Sequence, residues 1–166
     1  MAIELTLRLE KEVLDEEMVL KGIHDLGFTS TVETPTSERV FDCASCYDTL
    51  GFMVTLVKSR VPAVGVFDIM ILGKNGESVE FEYRQLLSFR FNHEFESSGC
   101  FERAMRMIVD IMGSVHARGY VDRETSAEVC FFNEDKTVYI NRESGVWDHI
   151  DVKKELSAWK VIEVTL

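Results

Sequence analysis

The sequence has little proline and no long hydrophobic run. Only two of its 166 residues are proline and 46% are hydrophobic, whereas disordered chains are poor in apolar residues. The most apolar internal run, residues 64–72, is interrupted by Asp68 and is much shorter than the roughly 20 residues of a membrane helix. The sequence therefore predicts a single domain over residues 1–166, with a hydrophobic core and no transmembrane segment.

Positive charge is also scarce. The chain has 18 lysines and arginines against 29 aspartates and glutamates, which gives a formal net charge of -11. Such an excess of acid disfavours nonspecific attraction to phosphate backbones and to anionic membranes, so we expect neither nucleic acid nor membrane as a partner. The electrostatic field of such an acidic protein would accelerate its encounter with a basic protein. Alternatively, the acidic side chains simply improve solubility.

The first nine residues are not expected to act as an export signal. Residues 1–9 alternate apolar and polar side chains and include Glu4, whereas a signal peptide needs a basic segment followed by a continuous apolar one. This pattern predicts a strand in a cytoplasmic protein. The four cysteines are then expected to be reduced thiols rather than a disulfide framework.

The familiar catalytic motifs are absent as well. There is no Gly-x-Gly-x-x-Gly or Walker-type phosphate loop and no Gly-x-Ser-x-Gly nucleophile elbow. The histidines are scattered, without the i, i+4 spacing that brings two of them to one metal; they are His24, His93, His116 and His149. We therefore expect a protein that is not an enzyme and that uses no cofactor.

One short motif does carry chemistry. Cys43 and Cys46 are separated by two residues, a spacing that lets both sulfurs reach one metal ion or each other. No second such pair exists, and Cys100 and Cys130 are distant single cysteines. Inert thiols are the simpler interpretation, with a redox or metal site at Cys43 and Cys46 as the alternative.

Strand and helix periodicities alternate along the chain. Strands are predicted at residues 3–9, 39–43, 51–58, 64–72, 78–83, 85–94, 127–133, 137–141 and 160–166. Helices are predicted from the Asp15 cap to Gly27, over 101–115 after a capping region at 97–99, and over 151–158. This order favours an α+β domain, with a mostly antiparallel sheet and two main helices packed on one face. The strands at 51–58 and 64–72 are expected to be central.

Acidic residues recur on the predicted strands and turns. Glu80 and Glu82 share one face of a strand, and Glu94 and Glu96 lie at the end of the strand predicted at 85–94 and just after it. On charge alone, these four glutamates are the candidate contact surface for a basic partner. A solvated surface without a dedicated partner is the simpler alternative.

Several segments spread along the chain share one pattern; they are residues 1–9, 86–92 (Leu-Leu-Ser-Phe-Arg-Phe-Asn), 101–115, 127–132, 138–141 and 145–147 (Gly-Val-Trp). Together these segments resemble the immunity proteins of bacterial swarming-inhibition (Sit) toxin systems. In that family a strand with a Phe-Arg pair precedes the long helix, and a hairpin ends in a leucine-or-isoleucine-asparagine step before a tryptophan. The resemblance does not extend to residues 29–58 or beyond 151.

The resemblance implies a cytoplasmic antidote that binds and neutralises a protein toxin delivered by neighbouring cells. An acidic inhibitor suits a basic toxin, because it competes with a polyanionic substrate and is steered to the same site. The alternatives are a redox or metal-binding protein using Cys43 and Cys46, and a generic protein-interaction domain.

Overall fold

The computed structural model describes residues 4–28, 33, 35–58, 66–69, 79–95, 99–123 and 127–164. The strands are β1 (Glu4–Leu9), β2 (Val40–Cys43), β3 (Phe52–Val57), β4 (Val66–Ile69), β5 (Val79–Glu82), β6 (Gln85–Phe91), β7 (Gly119–Arg123), β8 (Ala127–Phe132), β9 (Thr137–Asn141) and β10 (Lys160–Val164). The helices are α1 (Glu16–Asp25), α2 (Cys100–Ser114) and α3 (Val152–Glu155), with 3-10 turns at His93–Phe95, Arg142–Ser144 and Val146–His149. Among the described helices, none is long and apolar enough to cross a membrane.

Eight strands form one sheet, in the order β10-β9-β8-β7-β1-β6-β3-β2. Its neighbouring strands pair antiparallel except β9 and β10, which are parallel. The chain is thus built on a mostly antiparallel sheet accompanied by a few helices. Within the described residues, β4 and β5 pair with each other in a separate two-stranded sheet.

Two predicted central strands are not central. β3 lies next to the edge strand β2, and β4 belongs to the small sheet, while β1 and β7 occupy the centre. β7 was not predicted, because it begins at Gly119, a residue typical of a break. A side chain there would lie 2.8 Å from the Met112 methyl and 3.1 Å from Leu7, so glycine is what lets α2 end so close to the sheet.

Each face of the large sheet has its own hydrophobic cluster. Leu5, Leu7 and Leu9 of β1 are fully buried in the larger cluster, which also contains the buried residues of α1 and α2. Burying one such leucine stabilises the fold by about 1.5–3 kcal/mol. The smaller cluster contains Tyr120 and Phe131, whose strand neighbours belong to the larger one, so the two clusters lie on opposite faces.

Helix α1 has the ends that its sequence predicts. The Asp15 carboxylate accepts a hydrogen bond from the Met18 amide at 2.9 Å, and Gly27 adopts φ 92° where the helix ends. Helix α2 instead has Gly99 as its N-cap, without a side-chain cap, and residues 97 and 98 lie outside the described part. Helix α3 is a single turn capped by Asp151 and is shorter than predicted.

A buried glutamine at the start of β6 joins the connection between β1 and α1 to the residue that follows β3. Gln85 is 2% exposed, and its Oε1 accepts hydrogen bonds from the amides of Val13 and Leu14, both at 2.7 Å. Its Nε2 donates to the carbonyls of Leu14 at 2.9 Å and Lys58 at 2.5 Å. Four backbone groups that belong to no strand ladder are satisfied by this one side chain.

Candidate protein-binding surface

The predicted acidic residues Glu80 and Glu82 lie on the outer face of β5. Both are exposed, while the intervening Phe81 is 1% exposed and the following Tyr83 is 5% exposed. Asp68 is the register partner of Glu80 on the antiparallel neighbour β4. Strand periodicity therefore separates the two roles of this segment, because alternate residues point to water and to the core.

Aromatic contacts hold β5, the strand that carries Glu80 and Glu82 and is called the acidic strand below, against the large sheet. The Phe81 ring packs edge-on against Phe131, with centroids 5.5 Å apart, and against Tyr120 at 6.3 Å. The Arg118 guanidinium lies 5.8 Å from the centroid of Phe81 and 5.9 Å from that of Phe131. Each aromatic pair contributes roughly 0.5–1.5 kcal/mol to stability in addition to the burial of its surface. The strand that carries the two glutamates is therefore held firmly in place.

Arg118 is itself bound to a carboxylate. Its Nε and one terminal nitrogen donate to the two oxygens of Glu10 at 2.8 and 2.6 Å, a bidentate pair. Hydrogen bonding from Arg118 lowers the pKa of the Glu10 carboxyl. The arginine beneath the acidic strand is therefore neutralised locally and does not cancel the charge of Glu80 and Glu82.

The other two predicted contact residues are not beside them. Glu94 is exposed in the 3-10 turn that follows β6, and its amide donates to the Asn92 side chain at 3.1 Å. Glu82 precedes β6, so the strand's seven residues separate the two glutamates by roughly 20 Å. Glu96 lies outside the described residues. Glu80 and Glu82 thus form one candidate patch, and Glu94 belongs to another end of the sheet.

The structure also reveals a polar row that no sequence pattern indicated. The row crosses six neighbouring strands, and each of its residues is paired in register with the next one. It lies on the face of the large sheet that carries Tyr120, and its residues are Asp42, Thr55, Ser88, Thr6, Asp122 and Glu128. Their carboxylates are engaged within the protein: Thr55 donates to Asp42 at 2.6 Å, Arg8 pairs with Asp122, and the Tyr120 hydroxyl donates to Glu128 at 3.1 Å. Burial and the Glu128 charge raise the pKa of Tyr120, which therefore stays a donor. The row resembles a structural network more than a free binding face.

The cysteine pair lies in the core where β2 ends. Both thiols are buried, and Cys46 donates to the Phe52 carbonyl at 2.8 Å. Hydrogen bonding between the two side chains lowers the pKa of Cys43 and, together with burial, raises that of Cys46. This arrangement gives Cys46 a structural role in closing the turn before β3.

Metal ligands do not converge in the part of the chain that the structure describes. There, no group of three or more histidine, cysteine, aspartate or glutamate side chains could hold an ion. His24 is exposed on α1, His93 is exposed on the turn after β6, and His116 is exposed after the end of α2. Buried Cys130 has a raised pKa because of its burial.

Two residues on which the resemblance rests have structural roles. Val129 is the extra residue of a bulge in β8, since Val121 pairs with Cys130 and the next residue, Asp122, pairs with Glu128. The Val129 carbonyl accepts a hydrogen bond from the buried Trp147 indole at 3.0 Å, and Asn141 donates to the preceding carbonyl at 2.8 Å. The asparagine and the tryptophan thus replace the ladder bonds that the bulge interrupts.

Comparisons with known proteins add no relative. A scan of protein-family models and searches of curated proteins and solved structures found no match to this chain. The resemblance to swarming-inhibition immunity proteins therefore stays a prediction from the residues quoted above.

Proposed function

We propose that this protein is a cytoplasmic immunity protein that binds and neutralises a basic protein toxin delivered by neighbouring bacterial cells. The observation that carries the proposal is the exposed pair Glu80 and Glu82, held on a strand whose intervening residue Phe81 is locked in the core. The net charge of -11 supports the same conclusion, and the resemblance supplies the class of partner.

The physical basis is rigid display of negative charge. Long-range attraction speeds the encounter with a basic surface, and a fixed strand loses little conformational freedom when the partner docks. Neutralisation by binding needs neither a catalytic residue nor a cofactor. It requires only that the acidic surface bind the basic site of the toxin with higher affinity than the toxin's polyanionic substrate does.

The proposal extends to the layer arrangement. We propose that α1 and α2 pack together on the face of the large sheet opposite β5, which leaves the acidic strand on its own side. In support, their buried residues belong to the same cluster as Leu7, whereas Phe81 belongs to the other. Cross-links between lysines placed on the two helices, with none to β5, are the expected outcome.

The test is affinity capture of the tagged protein from its own host at low and moderate salt. We expect one basic protein to bind, more weakly at higher salt, and to be lost from the double variant E80K/E82K. The matched control is E38K/E143K, which makes the same charge change at exposed positions elsewhere. Equal capture by E80K/E82K would refute the proposed surface.

A second step tests neutralisation. The captured protein, produced alone in a sensitive cell, should stop growth, and co-production of the wild-type chain should restore it. The variant E80K/E82K should fail to do so. If the captured partner is harmless, the chain is a generic protein-interaction domain and the immunity function is wrong.

A further inference from the structure

A small groove lies between helices α1 and α2, away from the acidic strand. Its volume is about 150 Å³. Its floor is apolar and its rim is polar; the lining residues are Met18, Gly22, Met107 and Ile111 on the floor, and Lys21, Asp25, Asp110 and Ser114 on the rim.

Glycine and methionine give this groove its form. A side-chain carbon at Gly22 would lie 3.0 Å from the methyl of Met107, so a larger residue would push into the floor. Met107 is almost fully buried, and Met18 is partly buried beside it. Unbranched thioether side chains adapt to the shape of what they contact, which suits a floor that receives an aliphatic chain.

Negative charge exceeds positive charge around the rim. The Lys21 ammonium is already paired with Asp25 at 2.8 Å. Asp110 has no lysine or arginine nitrogen within 4.0 Å among the described residues, and the nearby Arg106 is paired with Glu102 and Glu155. Burial and the charges of Asp25 and Glu155 raise the pKa of Asp110, as expected for a carboxylate that lacks its own counter-charge.

The size of the groove limits the ligand. Cofactors and drug-sized molecules occupy roughly 300–1,000 Å³, whereas an apolar space of about 150 Å³ holds benzene, which is similar in bulk to a lysine side chain. An apolar floor with an acidic rim matches an aliphatic chain that ends in a cation.

We propose that the groove receives a lysine side chain of the protein partner, with its methylenes on Met18 and Met107 and its ammonium between Asp25 and Asp110. The identity of the partner as a basic protein rests on the proposed function, whereas the fit of the groove to an alkylammonium does not. The groove would add a specific anchor to the general attraction exerted by the acidic strand.

The test uses n-butylammonium as the probe and the methionine methyl groups as reporters. The intact protein, labelled with ¹³C in its methionine methyls, is titrated at pH 7 with n-butylamine hydrochloride and, separately, with n-butanol. We expect the Met18 and Met107 signals to shift and saturate with the cation and to respond more weakly to the alcohol. Equal responses to both, or equal shifts of all assigned methionines, would overturn the proposal.

Two variants separate specific binding from general electrostatics. D110N should weaken butylammonium binding about two- to fivefold, the range expected for one carboxylate at a partly exposed site. E38Q, at an exposed position outside the groove, should leave binding unchanged. An unchanged affinity in D110N, or an equal loss in E38Q, would also overturn it. Because no toxin is needed, this outcome is independent of the capture experiment on E80K/E82K.

Discussion

Replacing Gln85 with alanine should destabilise the protein severely. The substitution removes four hydrogen bonds to backbone groups between β1 and α1 and after β3. The two bonds to Leu14 are buried, and each buried group left without a partner costs about 1–3 kcal/mol. The groups of Val13 and Lys58 are only partly buried, so water can replace the lost partner there at little cost.

The expected loss is therefore about 3–4 kcal/mol in the free energy of unfolding. For a chain of this length, 1 kcal/mol corresponds to about 2–4 °C in Tm, so Q85A should melt roughly 10 °C below the wild type. Urea unfolding followed by circular dichroism measures the free energy, and calorimetry gives Tm.

The matched control is R84Q, at the exposed position next to Gln85. It should change the free energy of unfolding by no more than about 0.5 kcal/mol, because exposed substitutions usually have small effects. A loss below about 1 kcal/mol in Q85A, or a loss no larger than in R84Q, would show that the glutamine does not hold these segments together.

Three further predictions concern packing, the bulge and pH. G119A should destabilise the protein by about 1–3 kcal/mol, because the added carbon overpacks the contact with Met112 and Leu7. The control G113A, whose added carbon meets nothing within 4 Å, should leave the free energy of unfolding unchanged or raise it slightly. Urea unfolding measures both effects. W147F keeps an aromatic ring but leaves the Val129 carbonyl without its donor, so it should cost about 1–3 kcal/mol by the same measurement. The pKa of Glu10 is lowered in the folded state, so the stability that its ionised carboxylate contributes is present above its ordinary pKa of 4.5 and is lost as pH falls through the folded pKa. E10Q should therefore flatten the dependence of the free energy of unfolding on pH in that range. An unchanged pH dependence would contradict the ion pair with Arg118.

The acidic strand shows how far periodicity can define a site. An alternation of two is enough to predict that Glu80 and Glu82 share a face, and both are exposed while Phe81 is buried. Charge clustering along the sequence does not predict distance in space: Glu94 is only twelve positions after Glu82, yet a full strand runs between them. Sequence proximity fails here because a strand extends by about 3.4 Å per residue.

Local spacing determined much of the secondary structure. The alternation of Leu5, Leu7 and Leu9 specifies a half-buried strand, and Asp15 and Gly27 specify the ends of α1. These features follow from backbone geometry and from contacts within a few residues, which act before any distant part of the chain is in place.

Tertiary structure alone decided which distant residues meet. Gln85 binds Leu14 from 71 positions away, and Thr6 faces Asp122 because β7 enters the sheet beside β1. The groove at Gly22 likewise exists only because α2 lies against α1. Each of these contacts depends on strand order and helix packing, which are set by the combined burial of many side chains and leave no periodic signal at the residues concerned.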